Sequence, residues 1–138
     1  MRILMNSRLL VFGLLLASWM NAANAADDAA LYFISPEDGD RVSSPVTVRF
    51  GLTSFGVAPA GIEKANTGHH HLLIDTDLPK LDAPVPSDGH HRHFGGGQTE
   101  TTIELAPGEH TLQLLLGDYA HIPHNPPLIS RRITITVE

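Results

Sequence analysis

Val46-Thr47-Val48-Arg49-Phe50-Gly51-Leu52-Thr53 is the stretch of sequence that decides the fold. Apolar side chains occupy every second position, and polar or small residues lie between them. Because successive side chains of a β-strand point to opposite faces of a sheet, this alternation predicts a strand with one buried face. Pro45 precedes it, at a position where a missing backbone N–H group is tolerated.

The same period of two recurs in other segments of the chain. These are residues 31–34, 69–75, 101–105, 110–116 and 133–137. Residues 54–68 and 76–98 are rich in glycine and proline; the first is interpreted as a long connection and the second as a loop without a regular element. Short strands separated by such turns predict an all-β fold, an antiparallel β-sandwich of about six to seven strands.

Two motifs refine this architecture. Ser35-Pro36-Glu37-Asp38-Gly39 with Pro45-Val46-Thr47-Val48, and Ala106-Pro107-Gly108-Glu109-His110-Thr111-Leu112, resemble the first and last strands of immunoglobulin-like bacterial domains. The resemblance implies an immunoglobulin-like sandwich, although the inter-sheet disulfide and core tryptophan of antibody domains are absent.

The first 25 residues have the pattern of a secretory signal peptide. Arg2 and Arg8 form a positively charged n-region before an apolar run at residues 9–16, and Ala23-Asn24-Ala25 fits the A-x-A cleavage rule. We expect cleavage after Ala25, which would leave residues 26–138 as one periplasmic domain without a membrane span. The apolar run is shorter than the roughly 20 residues that cross a bilayer, so an uncleaved anchor is the less favoured alternative.

Charge and sulfur content limit the partners of the protein. The formal net charge is −6, and loss of Arg2 and Arg8 with the leader would make it −8. Such an acidic protein is unsuited to nucleic acid or to anionic membrane surfaces. Cysteine is absent and all three methionines lie within residues 1–25. A metal site in the exported domain must therefore use imidazole and oxygen ligands rather than sulfur.

Histidine is the residue type that points to chemistry. The nine histidines form three clusters, His69-His70-His71, His90-His91-Arg92-His93 and His121-Ile122-Pro123-His124, with His110 apart from them. On a strand, residues i and i+2 share a face, so His69 pairs with His71 and His91 pairs with His93. Each pair can offer two ring nitrogens to one ion. We therefore predict a site for a divalent transition metal (Cu²⁺, Zn²⁺ or Ni²⁺) formed by His69, His71, His91 and His93, with His121 or His124 assisting.

Other interpretations of the histidines remain open. Each ring has a donor and an acceptor and can hold a loop by hydrogen bonds, as in a structural or interaction module with an envelope protein as partner. We assign His110 this role. Protonation of all nine rings would also suit a pH sensor. A metal-dependent enzyme would need a metal-bound water and a base such as Glu100 or Asp88. No serine or cysteine nucleophile motif is present, so an enzyme is not favoured.

Four segments together resemble a known family. They are Gly68-His69-His70-His71-Leu72-Leu73-Ile74-Asp75, residues 90–100 (His-His-Arg-His-Phe-Gly-Gly-Gly-Gln-Thr-Glu), residues 105–112 and residues 121–124. They are similar to the bacterial domain of unknown function 4399, over about residues 55–137. The resemblance implies a short periplasmic β-rich protein in which the histidine runs are family features. It supplies no catalytic residue.

Overall fold

The computed structural model describes residues 28–138, and the signal peptide that we expect at residues 1–25 lies outside them. Within the described residues the chain forms nine strands and no helix. The strands are β1 (Ala30–Ser35), β2 (Arg41–Val42), β3 (Val46–Thr53), β4 (Gly56–Val57), β5 (Thr67–Ile74), β6 (His91–His93), β7 (Glu100–Ile103), β8 (Gly108–Gly117) and β9 (Ile133–Val137).

Two sheets form a sandwich. The smaller sheet has the strand order β1-β3-β7, and the larger has the order β2-β9-β8-β5-β4, with β6 also paired to β5. All pairs are antiparallel except the two-residue contacts β2–β9 and β4–β5. The predicted all-β, immunoglobulin-like antiparallel sandwich is thus confirmed in its class and in its two-sheet arrangement. From residue 28 onward, no helix is long and apolar enough to cross a membrane.

The main core lies between the two sheets. The inward positions of β3 meet those of β5, β8 and β9, which follows from the alternation seen in the sequence. The buried apolar side chains include Leu31, Val46, Val48, Phe50, Leu72, Leu112, Leu114, Ile133 and Ile135. Truncating one such fully buried leucine to alanine typically costs about 2–5 kcal/mol of stability.

Strand β5 is buried on both of its faces, and this positions the site. Its inner face joins the main core, while its outer face is covered by the connections that follow β5 and β8. Leu73 on that outer face packs with Val85, Leu115 and Ile129 in a second apolar cluster. The histidines that share the outer face of β5 are therefore enclosed between the sheet and these connections.

Three short strands depart from the sequence prediction. The six longer strands lie at the predicted places, within one or two residues at each end. The prediction that residues 76–98 contain no regular element was wrong, because β6 falls inside them, and β4 lies within the long connection predicted for residues 54–68. β2 was also missed. Strands of two or three residues are too short to show an alternation, and their formation depends on a neighbouring edge rather than on their own pattern.

Candidate metal centre

Four histidine side chains converge on the outer face of the larger sheet. Strand β5 supplies His69 and His71, β6 supplies His93, and the connection between β8 and β9 supplies His121. Each offers one ring nitrogen, and these nitrogens all lie within 4.8 Å of one another. We refer to these residues as the four-histidine cluster.

The period of two in β5 places His69 and His71 side by side. Their ring centroids lie 4.7 Å apart, and both residues are at most 1% exposed. Gly117 of β8 leaves room for His71, since a Cβ atom at position 117 would lie only 2.6 Å from His71 Cε1. Any larger residue at 117 would have to displace the imidazole.

Strand register brings His93 to the same point. The antiparallel pairing of β5 with β6 sets His93 directly opposite His71. The ring centroid of His93 lies 4.9 Å from that of His69 and 5.3 Å from that of His71. Gly95 lies under this ring, where a Cβ atom would approach His93 Cε1 to 2.4 Å. The pairing and the bare glycine together fix the position of the imidazole.

Asp118 shapes the turn that presents His121. One of its carboxylate oxygens accepts hydrogen bonds from the N–H groups of Ala120 (2.8 Å) and Ile122 (2.9 Å). His121 has a φ of 67°, in the left-handed region, which costs a residue with a Cβ atom about 1–2 kcal/mol. The anchored turn offsets that cost and brings His121 Nδ1 to 3.1 Å from His69 Nε2, within hydrogen-bond distance.

The spacing of the rings fits one transition-metal ion. Bonds of about 2.0–2.1 Å in a tetrahedron place four ligand nitrogens about 3.4 Å apart and their ring centroids about 5 Å apart. The centroid separations within the cluster range from 4.6 Å (His93–His121) to 6.0 Å (His71–His121). Small side-chain rotations would therefore direct all four nitrogens at one ion. The cluster could hold a metal.

Burial keeps the enclosed rings neutral. Desolvation, followed by repulsion from His121 and His93, lowers the pKa of His69 from 6.5 to about 4. Desolvation, followed by repulsion from the other rings, lowers the pKa of His71 to about 3. Desolvation and then His121 also lower the pKa of His93. Neutral imidazole is the form that binds metals, so these rings present lone pairs rather than positive charges near pH 7.

Two buried ring nitrogens of the cluster have no hydrogen-bond partner within the residues that the structure describes. The Nδ1 atoms of His69 and His71 are buried and have no hydrogen-bond partner among residues 28–138. Leaving a buried polar atom unpaired costs about 1–3 kcal/mol, and most such atoms in proteins find a partner. The described part of the chain therefore leaves one nitrogen of each of these two rings without a partner, as it also leaves ring nitrogens of His70 and His124 outside the cluster.

Comparison with known protein families gives a match that covers the histidine-containing segments. The profile described as "Domain of unknown function (DUF4399)" matches residues 48–138, which include all four histidines of the cluster. The chain belongs to this family. The family prediction made from the sequence is thereby confirmed. No curated protein and no solved structure matches the chain significantly.

The other two predicted ligands of this DUF4399 chain lie outside the cluster. His91 shares the outer face with His93, but the register sets it opposite Leu73, two residues further along β5. Its Nδ1–H group donates to Asp88 at 2.9 Å. His124 instead contacts the edge of Phe55, with ring centroids 5.2 Å apart. Of the two assisting candidates, His121 is the one that reaches the cluster.

The remaining histidines of the DUF4399 chain act within the fold. His70 lies on the other face of β5 and faces the core, with its ring centroid 5.0 Å from that of Phe50. His90 donates from Nδ1 to the Ile74 carbonyl at 2.8 Å. The interpretation of His110 as a residue that holds a loop by hydrogen bonds is confirmed, because its ring nitrogens contact both Asp75 and the Ala106 carbonyl.

Three supporting residues had no role in the sequence prediction. Gly95 and Gly117 make space for rings, and Asp118 organises the turn of His121. Asp118 could have been found from the sequence, because an aspartate at the start of a turn, three residues before a histidine, often accepts hydrogen bonds from the backbone of that turn. The two glycines carried no such signal, since their importance depends on which ring lies across the sheet from them.

Proposed function

We propose that this DUF4399 protein binds one divalent transition-metal ion in the periplasm through His69, His71, His93 and His121, for sequestration or delivery. The observation that supports this most directly is the convergence of four ring nitrogens within 4.8 Å of one another. A convergence of this kind from three separate segments requires the fold, since only two of the four residues are near in sequence.

The donor set favours particular ions. Imidazole suits Cu²⁺, Zn²⁺ and Ni²⁺, whereas Mg²⁺ and Ca²⁺ prefer oxygen ligands. Affinities for a given nitrogen site usually rise toward Cu²⁺ and fall again at Zn²⁺. We therefore expect Cu²⁺ to bind most tightly, with Zn²⁺ and Ni²⁺ behind it.

Storage or transfer is better supported than catalysis. Four imidazoles complete a tetrahedral shell and leave no position for a reactive water. The two bases considered from the sequence are also engaged elsewhere. Glu100 pairs with Arg49 on the smaller sheet, and Asp88 accepts from His91. The loop-holding role that we considered for the histidines fits His90, His91 and His110, and it coexists with metal binding by the other four.

Calorimetric titration of the untagged chain from residue 26 with Cu²⁺, Zn²⁺ and Ni²⁺ tests the proposal. We expect one ion per chain with a Kd below about 10 µM, equivalent to about −7 kcal/mol. His71→Ala should weaken binding by at least about tenfold, since it removes a buried ligand. His91→Ala is the matched control, because it removes a histidine of β6 that is outside the cluster, and it should bind like the wild type. Absence of saturable binding by the wild type would reject the proposal.

Location is tested separately. We expect the chain expressed in a Gram-negative host to appear in the periplasmic fraction after osmotic shock. Mass spectrometry should give an N-terminus at Ala26, directly after the expected cleavage site. Retention of the full-length chain in the cytoplasmic fraction would contradict the periplasmic part of the proposal.

A further inference from the structure

The four-histidine cluster is closed on the sides formed by β8 and by the turn of His121. Gly117 of β8 packs against His71 and is itself buried. The turn is tied to two other segments by backbone hydrogen bonds, from Gly61 N–H to the Tyr119 carbonyl and from Val85 N–H to the His121 carbonyl, both 2.9 Å long. An ion could leave on these sides only if the packing or the turn opened.

The side formed by β6 is different. His93 is exposed, whereas His69 and His71 are buried and His121 is partly buried. β6 has only three residues, and among the described strands it pairs with β5 alone. Solvent therefore reaches the cluster past the one ligand that belongs to a short edge strand.

We propose that the ion is exchanged at His93, so that the protein delivers its metal rather than only storing it. This inference rests on the proposed function. The ion remains on His69, His71 and His121 while an acceptor approaches from the β6 side. The acceptor that this opening suits is a protein or small molecule that presents a free nitrogen or sulfur ligand at its surface.

The transfer step is a ligand substitution without oxidation or reduction. The acceptor's lone pair forms a bond to the ion as the bond from the ion to the His93 nitrogen breaks, and the imidazole leaves as a neutral ring. Further acceptor donors then replace the three remaining imidazoles in turn. Because the first bond is made by the acceptor, the rate of transfer depends on its concentration, and bulk release of free ion is not needed.

The experiment follows transfer of Zn²⁺ from the loaded chain to the chromogenic chelator 4-(2-pyridylazo)resorcinol by stopped-flow absorbance. For the wild type we expect a rate that rises linearly with chelator concentration. His93→Ala should still load, because three buried or partly buried ligands remain. It should transfer at least about tenfold faster, since weaker holding of a ligand is usually expressed in the off-rate. Because position 93 is exposed, this variant should fold normally.

Two control variants distinguish exit of the ion at His93 from exit at the turn of His121. His91→Ala removes the other outer-face histidine of β6 and should transfer at the wild-type rate. Asp118→Ala removes the acceptor that holds the turn of His121, and its transfer rate should stay below that of His93→Ala. Thermal melting confirms that each variant is folded before loading.

The outcomes are distinct. A wild-type rate that does not depend on chelator concentration would mean spontaneous release and would overturn exchange at His93. So would faster transfer from Asp118→Ala than from His93→Ala, because the exit would then be the turn. A wild type that binds no Zn²⁺ in the calorimeter would overturn the proposed function itself, and this inference with it.

Discussion

His93 lies directly opposite His71 across the pairing of β5 with β6, and their ring centroids are 5.3 Å apart. Residues directly opposite in an antiparallel pair have neighbouring side chains on one face. A shift of the pairing by two residues would set His91 opposite His71 in place of His93. The register of a three-residue strand therefore determines which of two similar histidines belongs to the cluster.

Substitution of Gly117 by a larger residue should displace a ring of the four-histidine cluster. A Cβ atom there would lie 2.6 Å from His71 Cε1 and 3.1 Å from its Nδ1. We expect Gly117→Ala to move the His71 ring and to lower metal affinity by at least about tenfold, with an overpacking cost of about 1–3 kcal/mol in stability. Calorimetric titration and urea unfolding measure the two effects.

Gly89→Ala is the control for that experiment. Nothing lies within 4 Å of a Cβ atom at Gly89, and the residue is not in the left-handed region. Its metal affinity should equal that of the wild type. Equal affinities for Gly117→Ala and Gly89→Ala would show that His71 is not a ligand, or that its position tolerates the shift.

Much of the fold was readable from the sequence because the long strands have one apolar face. The alternation at Val46–Thr53 and Ile133–Val137 predicts the bounds of both observed strands, and burial follows it except at Gly51, which is buried, and Leu52, which is only partly buried. The alternation results directly from burial on one face, so it can be recognised without knowing which strands pair with each other. β6 has no such pattern, and it forms because the edge of β5 offers it backbone hydrogen bonds.

The candidate site was readable in part. The i, i+2 spacing placed His69 and His71 together, as observed. The choice of His93 over His91 depends on register, and the choice of His121 over His124 depends on a turn held by Asp118. Register and loop closure depend on residues far apart in the sequence. The local sequence therefore predicted that histidines form the cluster, but not which four of them.

Stability of the metal-free protein should fall in acid. Burial lowers the pKa of His69 and His70 to about 4 and that of His71 to about 3, against 6.5 when unfolded. The unfolded chain therefore binds protons below about pH 6.5 that the folded chain rejects, and stability is lost as pH falls from about 6.5 toward 4. Three such groups give a slope of up to about 4 kcal/mol per pH unit.

Urea unfolding at pH 7.5, 6.0 and 5.0 in the presence of a chelator measures this slope. Saturating Zn²⁺ should raise the stability at pH 7.5, since a ligand at 100 times its Kd adds about 2.7 kcal/mol. Its effect should shrink at pH 5.0, because protons compete for the same nitrogens. A metal-free protein equally stable at pH 7.5 and 5.0 would contradict neutral, buried rings in the folded state.

His110 should have the opposite effect on the pH dependence of stability. Its Nδ1 lies 2.7 Å from an Asp75 oxygen and its Nε2 lies 2.8 Å from the Ala106 carbonyl oxygen. Neither the ionised carboxylate nor the carbonyl can donate, so the ring satisfies both contacts only in its charged form, in which both ring nitrogens carry hydrogen. The hydrogen bond to Asp75, then that to Ala106, accordingly raises the pKa of His110. Its contribution to stability is full below the unfolded pKa and is lost as pH rises through the folded pKa.

His110→Ala therefore should lower stability more at pH 5.5 than at pH 8.5. We expect a loss of about 1 kcal/mol at pH 5.5, typical of one hydrogen bond to a charged group after allowance for the partly exposed Asp75. Metal affinity should not change, since His110 is remote from the cluster in the sheet. Urea unfolding at the two pH values checks this. A larger loss at pH 8.5 would mean that the ring is neutral.

His70 offers the sharpest separation of packing from metal chemistry. It is 1% exposed and faces the core beside Phe50, whose ring centroid is 5.0 Å away. Neither of its ring nitrogens has a hydrogen-bond partner within the described part of the chain. Because two unpaired polar atoms in an apolar core are unfavourable, His70→Leu should raise the free energy of unfolding by about 1–3 kcal/mol at pH 7.

The gain from His70→Leu should grow as pH falls below about 6.5, since the unfolded state of the variant has one fewer histidine to protonate. Its metal affinity should equal that of the wild type, because His70 points away from His69 and His71 on the other face of β5. Unfolding curves at pH 7.5 and 5.5 and one Zn²⁺ titration are sufficient. Loss of metal binding in a folded His70→Leu protein would mean that the core face of β5 takes part in the site.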